Sequence, residues 1–146
     1  MLLTGAALFL ASIFGGQDDP AVVNLYRHLC QVGAKSNGLW HDAASSHNIL
    51  RALVVHPVFS KDAATEASVV RLAERQTPDG DWGPELPFYQ TLNALAHLDL
   101  PAAQKQLDMA FRRLLETQNS DGSWSRSEPE WNTFLAVHAL RNKGML

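Results

Sequence analysis

The chain has 146 residues, with 46% hydrophobic residues, 18% charged residues and a formal net charge of −3. This composition is typical of a globular protein and excludes a disordered chain, and the absence of a basic run argues against a nucleic-acid partner. A single cysteine, Cys30, excludes an internal disulfide and is compatible with the cytoplasmic location that we expect.

The N-terminal run 2–14 (LLTGAALFLASIF) is apolar. It is shorter than the ~20 residues that a helix needs to cross a bilayer, so we expect no integral membrane span. When the run is shifted by the spacing between Trp40 and Trp82, its Leu8 falls on Leu50, which predicts the second helix of a half repeat over 1–15. The alternative is a signal peptide over 1–16, which implies export, although no Lys or Arg precedes the run.

The next segment predicts an amphipathic helix from Pro20 to about Val32. Asp19 is placed to cap the start of this helix, and Pro20 occupies its first position. Apolar residues then recur at helical spacing. We expect Gly33 to end the helix, because glycine is common just past a helix C-terminus.

Helical spacing of apolar residues predicts five more helices. They cover about 46–56, about 61–76, and segments that open at Pro87, Pro101 and Pro129. Proline suits the first position of a helix because the N–H that it lacks has no helical partner there. No stretch alternates convincingly with a period of two residues, so the predicted fold class is all-α.

A seven-residue turn sequence separates the helices of each predicted pair. It reads QNSDGSW at 118–124, QTPDGDW at 76–82 and, in weaker form, AKSNGLW at 34–40, so Trp40, Trp82 and Trp124 are evenly spaced. This fixed 42-residue period indicates αα-hairpin repeats. We therefore predict one repeat domain over 1–146, made of the half repeat and of hairpins at about 16–57, 58–99 and 100–141.

The turn residues have a physical role that needs no ligand. Asp-Gly and Asn-Gly favour a turn with positive φ, and a tryptophan buries ~150–250 Å2 while its N–H seeks an acceptor. Gln76 and Gln118 precede their tryptophans by six residues, and their amides are placed to bond backbone groups left open at a helix end. We interpret the stretch as a structural contact between hairpins.

The pattern Gln-x3-Gly-x-Trp after an apolar helix resembles the QW motif of the squalene-hopene cyclase family, within the terpene cyclase and prenyltransferase superfamily. The similarity covers about residues 5–140. Leu72 and Leu114 match the family's aliphatic position, Arg71 and Arg113 replace its usual aromatic residue, and the first copy has Ala34 in place of glutamine. The resemblance implies a partial α/α toroid, an arc rather than a closed barrel, and an isoprenoid or other lipid ligand.

The catalytic groups that the resemblance implies are not found in the sequence. The family's cyclases use an Asp-x-Asp-Asp acid motif, whereas Asp18-Asp19 lacks its first Asp and starts a helix. A prenyltransferase-type zinc site needs three or four converging ligands, and Cys30 has the wrong helical phase for one. We predict no cofactor and no metal site, and we leave open whether the chain is an enzyme, with Glu128 or Glu130 as unorthodox candidate acids.

Two neighbouring repeat positions form the candidate ligand-binding site. Each of the later helices of a pair begins with an aromatic ring followed by an amide. The rings are His47, Tyr89 and Trp131, and the amides are Asn48, Gln90 and Asn132. Rings and dipoles around a barrel mouth suit an apolar or cationic ligand, whereas the same periodic placement also arises from packing between helices alone.

The sequence therefore predicts a terpene cyclase- or prenyltransferase-like repeat protein that binds an isoprenoid or other apolar ligand and lacks the family's acid motif. The alternative is a non-catalytic scaffold for protein interactions. Because an arc leaves apolar hairpin faces at both ends, the alternatives are a homo-oligomer, a chain with missing N-terminal repeats, or ends that are capped locally.

Overall fold

A computed structural model of the chain describes residues 2–146, and side chains from residue 3 onward. Met1, the first residue of the predicted half repeat, lies outside the described residues. The described chain is helical, and its only β pairing is an isolated bridge between Gln118 and Trp124, so the all-α class is confirmed. The helices are α1 (Leu2–Ile13), α2 (Pro20–Lys35), α3 (Ala43–Val55), α4 (Ala63–Ala73), α5 (Phe88–Ala96), α6 (Pro101–Glu116) and α7 (Pro129–Asn142).

The chain divides into two compact units, one up to Glu74 and one from Arg75 onward. In the first unit, α1 packs against α3 and α2 packs against α4. Tyr26 lies at the centre of this unit, fully buried, with its hydroxyl 3.1 Å from the carbonyl oxygen of Leu8 and 3.0 Å from that of Ala52. One side chain of α2 therefore contacts both α1 and α3.

The start of α2 follows the prediction, but its end does not. Asp19 caps the helix, because its carboxylate accepts a 2.8 Å hydrogen bond from the backbone N–H of Ala21. Gly33, however, does not end the helix, which continues to Lys35. A Cβ at Gly33 would overlap the indole ring of Trp40, so this glycine makes room for the ring within the helix. The prediction that Gly33 terminates α2 was wrong for this reason.

The second unit contains α5, α6 and α7, and α5 packs against both of the others. Asn93 on α5 donates a 3.2 Å hydrogen bond to the carbonyl of Leu135 on α7, and the ammonium of Lys143 donates a 2.6 Å bond to the carbonyl of Leu98. Pro101 and Pro129 occupy the first helical positions as predicted, whereas Pro87 lies one residue before α5.

Candidate functional site

The three tryptophans of the turn sequences are all buried, and each indole N–H has an acceptor. Trp40 donates to the carbonyl of Leu29 on α2 (2.8 Å), and Trp124 donates to the carbonyl of Leu114 on α6 (2.7 Å). Trp82 instead donates to the side-chain oxygen of Gln106 (3.0 Å). The rings thus pack on helices, as a residue with a large apolar body and one polar atom requires.

The glutamines of the two later copies make the same bond. The amide of Gln118 donates to the carbonyl of Gly122 (2.9 Å), and that of Gln76 donates to the carbonyl of Gly80 (3.3 Å). Gln76 also donates to the backbone carbonyl of Gln106 on α6 (2.9 Å). The side chains therefore close their own turns, and the glutamine of the second copy also binds α6, the second helix after it in the chain.

Two of the turn glycines mark where a helix packs against the turn, α4 at the first turn and α6 at the second. Gly38 and Gly80 are buried with φ of 75° and 87°. A Cβ at Gly38 would overlap the backbone of Ser68 on α4, and a Cβ at Gly80 would lie 2.5 Å from the carbonyl oxygen of Met109 on α6. The two glycines are 42 residues apart in the sequence, and each meets the second helix after it, α4 for Gly38 and α6 for Gly80.

Charge also joins the second turn to α6. The guanidinium of Arg113 forms ion pairs with the carboxylates of Asp79 and Asp81, at 2.9 Å for Asp81. A side-chain hydrogen bond from Thr77, followed by the charge of Arg113, holds the pKa of Asp79 below its ordinary value. The second turn therefore meets α6 through its backbone and through its carboxylates.

The three aromatic residues of the candidate site differ in exposure. His47 on α3 is buried, Tyr89 on α5 is half-buried, and Trp131 on α7 is 45% exposed. Tyr89 contacts Phe88 edge-on, with ring centroids 5.1 Å apart, and Trp131 stacks on Phe134 at 5.5 Å. One repeat position thus carries a buried, a half-buried and an exposed ring.

The amides of the candidate site serve local contacts. Asn48 donates to the carbonyl of Ala44 within α3 (3.0 Å), Asn132 donates to the carbonyl of Ser127 before α7 (2.8 Å), and Gln90 is half-buried on α5. These bonds are within a helix or at its start, so they fix local backbone geometry.

Asn48 also lines a groove between α1 and α3. The groove has a volume of about 170 Å3, and its lining comprises Gly5, Ala6, Phe9, Leu10, Asn48 and Arg51. The guanidinium of Arg51 lies 5.5 Å from the ring centroid of Phe9, and burial lowers the pKa of Arg51. Within residues 2–146 no carboxylate pairs with this guanidinium, so the groove joins apolar walls to one positive charge.

The groove exists because α1 and α3 approach closely at a glycine. A Cβ at Gly5 would lie 2.8 Å from the carbonyl oxygen of Asn48, so any larger residue would push the helices apart. Asn48 was predicted as a site residue from the sequence, whereas Phe9 and Arg51 were not. A usable signal was present, since Phe9 and Arg51 are separated by one full repeat and hold the same repeat position.

Burial of His47 predicts a pH dependence of stability. Burial first, and the positive charge of Arg51 second, lower the pKa of His47 to about 4. The unfolded chain binds this proton near its ordinary pKa of ~6.5, whereas the folded chain does not until about pH 4. The stability that depends on neutral His47 is thus complete above pH 6.5 and is lost as the pH falls to 4, by roughly 3 kcal/mol in total.

Urea unfolding of wild type and His47→Gln at pH 7 and pH 4.5 measures this effect. We expect the wild type to lose more stability than the variant between the two pH values, because other titrating groups are common to both proteins. Equal losses in both proteins would assign the acid sensitivity to other groups.

The other groups that were considered for catalysis or metal binding are Cys30, Glu128 and Glu130. Cys30 is buried, and burial raises the pKa of its thiol to about 12, so the thiol stays protonated. Glu128 and Glu130 are exposed, whereas an acid that protonates a substrate in a cavity needs burial. Across residues 2–146, no three His, Cys, Asp or Glu side chains are placed to hold a metal ion, and no helix has the length and apolarity to cross a membrane.

Comparison of the chain with protein-family models, with curated proteins and with solved structures gives no significant match.

Proposed function

We propose that the chain is a terpene cyclase- or prenyltransferase-like repeat protein, a partial α/α toroid of 42-residue hairpins, that binds an isoprenoid or another apolar ligand. The groove between α1 and α3 is the observation that carries the proposal. The repeated turn contacts at Gly38 and Gly80 support the hairpin repeat. We expect the protein to work in the cytoplasm.

The chemistry of the groove suits an amphiphilic anion. Phe9, Leu10 and Ala6 offer apolar surface, and Arg51 offers a guanidinium that is partly withdrawn from water. A guanidinium binds carboxylate or phosphate oxygens through paired N–H groups. The ligand class is therefore an apolar chain with an anionic head, such as a prenyl phosphate.

The size of the groove limits what it holds. Its volume of about 170 Å3 is smaller than the ~300–1,000 Å3 of pockets that enclose drug-sized ligands. We therefore propose that it binds the head and the first part of an apolar chain. We assign no catalytic residue, because no described carboxylic acid is placed in this groove.

Binding of farnesyl diphosphate and of farnesol tests the groove, with isothermal titration calorimetry as the measurement. We expect the diphosphate to bind more tightly, and Arg51→Gln to remove about tenfold or more of that preference, because a partly desolvated charged contact is worth ~1.5–3 kcal/mol. Ala6→Leu should fill the groove and weaken both ligands.

Ala7→Leu is the matched control, since Ala7 is exposed on the same helix but does not line the groove. Failure of both ligands to bind the wild type, or equal binding to the Ala6→Leu and Ala7→Leu variants, would contradict the proposal.

A second candidate function is a non-catalytic interaction scaffold. It is favoured by the apolar stripe that α7 exposes, in which Trp131, Phe134 and Val137 are 45%, 55% and 41% exposed. Exposed apolar residues that lie together on one face are characteristic of protein interaction sites.

A further inference from the structure

A helix covers the glycine of each of the first two turns, α4 at Gly38 and α6 at Gly80, but no part of the described chain covers the glycine of the third turn. Gly122 has φ of 86°, close to the 87° of Gly80, so the turns have the same local conformation. A Cβ at Gly80 would collide with α6, but a Cβ at Gly122 would meet nothing within 4 Å. Gly80 is buried and Gly122 is exposed. The two turns thus differ in the helix that covers them.

The polar side chains Gln118 and Asp121 of the third turn also lack contacts with a neighbouring helix. Asp79 of the second turn pairs with Arg113, and Gln76 reaches the backbone of α6. Their counterparts are Asp121, which is exposed, and Gln118, which bonds only within its own turn. One oxygen of Asp121 accepts hydrogen bonds from Ser123, and the other has no partner in the described chain.

The exposed stripe on α7 begins beside the third turn, because the backbone N–H of Trp124 donates a 2.9 Å hydrogen bond to the hydroxyl of Thr133 on α7. Leu92 and Leu95 of α5 hold the repeat positions of Phe134 and Val137, and both are fully buried. Helix α5 is covered by α6 and α7, which follow it in the chain. Phe134 and Val137 lack such cover. We call the turn 118–124 together with Trp131, Phe134 and Val137 the open face.

The two covered turns show which helix fits such a face. Each covering helix places a small residue on the turn glycine and an arginine three residues later. In α4 these are Ser68 and Arg71, and in α6 they are Ala110 and Arg113. A small residue lets the two backbones meet at the glycine, and in α6 the arginine binds the turn carboxylates.

A second copy of the chain offers no free helix of this kind. Among the arginines of the helices, only Arg71 and Arg113 have Ala, Ser or Gly three residues before them. Both helices already cover a turn of their own chain. The chemistry of the open face therefore points to another polypeptide and not to self-association.

We propose that the open face is a docking site for an α-helix of a partner protein, which carries a small residue and, three residues later, an arginine that pairs with Asp121. Apolar residues of the partner cover Trp131, Phe134 and Val137. This site is separate from the groove between α1 and α3, and it does not depend on the ligand proposed there.

A synthetic peptide with the sequence of residues 100–117, the helix α6 itself, is the probe. Titration into the 15N-labelled full chain, followed by the indole N–H signals of the four tryptophans, measures binding. We expect the chemical shift of the Trp131 indole signal to change until binding saturates, and that of the buried Trp40 to remain constant. Gly122→Ala should abolish the shift, because the added Cβ occupies the contact point.

Charge variants give a matched test of the ion pair. Asp121→Asn in the protein, or Arg113→Gln in the peptide, should weaken binding about threefold or more, as expected for an exposed charge pair that becomes partly covered. The two changes together should weaken it little further. Glu128→Gln in the protein and Arg112→Gln in the peptide are the controls, since both residues are exposed. Each control substitution removes the same charge as the test substitution in its own molecule.

The proposal is overturned by any of three results. The first is no shift of Trp131 at millimolar peptide. The second is binding that Gly122→Ala leaves intact while circular dichroism shows the variant folded. The third is a concentration-dependent dimer in sedimentation that Trp131→Ala dissolves, which would show that a second copy covers the face.

Discussion

Trp124→Ala is expected to lower the free energy of unfolding of the second unit by about 3–5 kcal/mol. The ring is 4% exposed, and its N–H donates to the carbonyl of Leu114 at 2.7 Å. Alanine leaves a cavity beside α6 and removes one hydrogen bond to the Leu114 carbonyl, and both effects act in the same direction. Urea unfolding followed by circular dichroism at 222 nm measures the change.

Trp131→Ala is the matched control in the same unit. It removes the same number of atoms from a ring that is 45% exposed, so we expect a loss of about 1 kcal/mol or less. Similar losses for the two variants would mean that the repeated tryptophan has no special structural role. In the ligand titrations, Trp124→Ala should weaken binding only in proportion to the unfolded fraction.

Most helix positions were predictable from local patterns such as those at Asp19 and Pro101. The turn sequences that end at Trp40, Trp82 and Trp124 marked where three helices stop. These signals act over a few residues, so a sequence displays them directly. The all-α class follows from them as well.

Contacts between separate helices and turns were harder to predict from the sequence. Gly33 has the sequence signature of a helix end, but the deciding fact is the ring of Trp40, seven residues away, which needs the space of a missing Cβ. The groove likewise depends on the approach of Gly5 to α3. Local propensity describes neither contact, because each depends on how two segments pack.

The candidate site shows a further limit of periodicity. His47, Tyr89 and Trp131 hold one repeat position, yet they range from buried to 45% exposed. A repeat predicts which residues are equivalent. It does not predict which copies are buried, because burial depends on the other segments that pack against each copy.

Gly80→Ala and Gly122→Ala together form the most discriminating stability test. Both glycines have φ near 86°, so an alanine at either costs about 1–2 kcal/mol of left-handed backbone strain. Only at Gly80 does the new Cβ also collide with backbone, 2.5 Å from the carbonyl oxygen of Met109, which adds about 1–3 kcal/mol of overpacking. We therefore expect Gly80→Ala to lose about 2–5 kcal/mol and Gly122→Ala about 1–2 kcal/mol in urea unfolding. Equal losses would mean that α6 does not press on the second turn, and the comparison that defines the open face would fail with it.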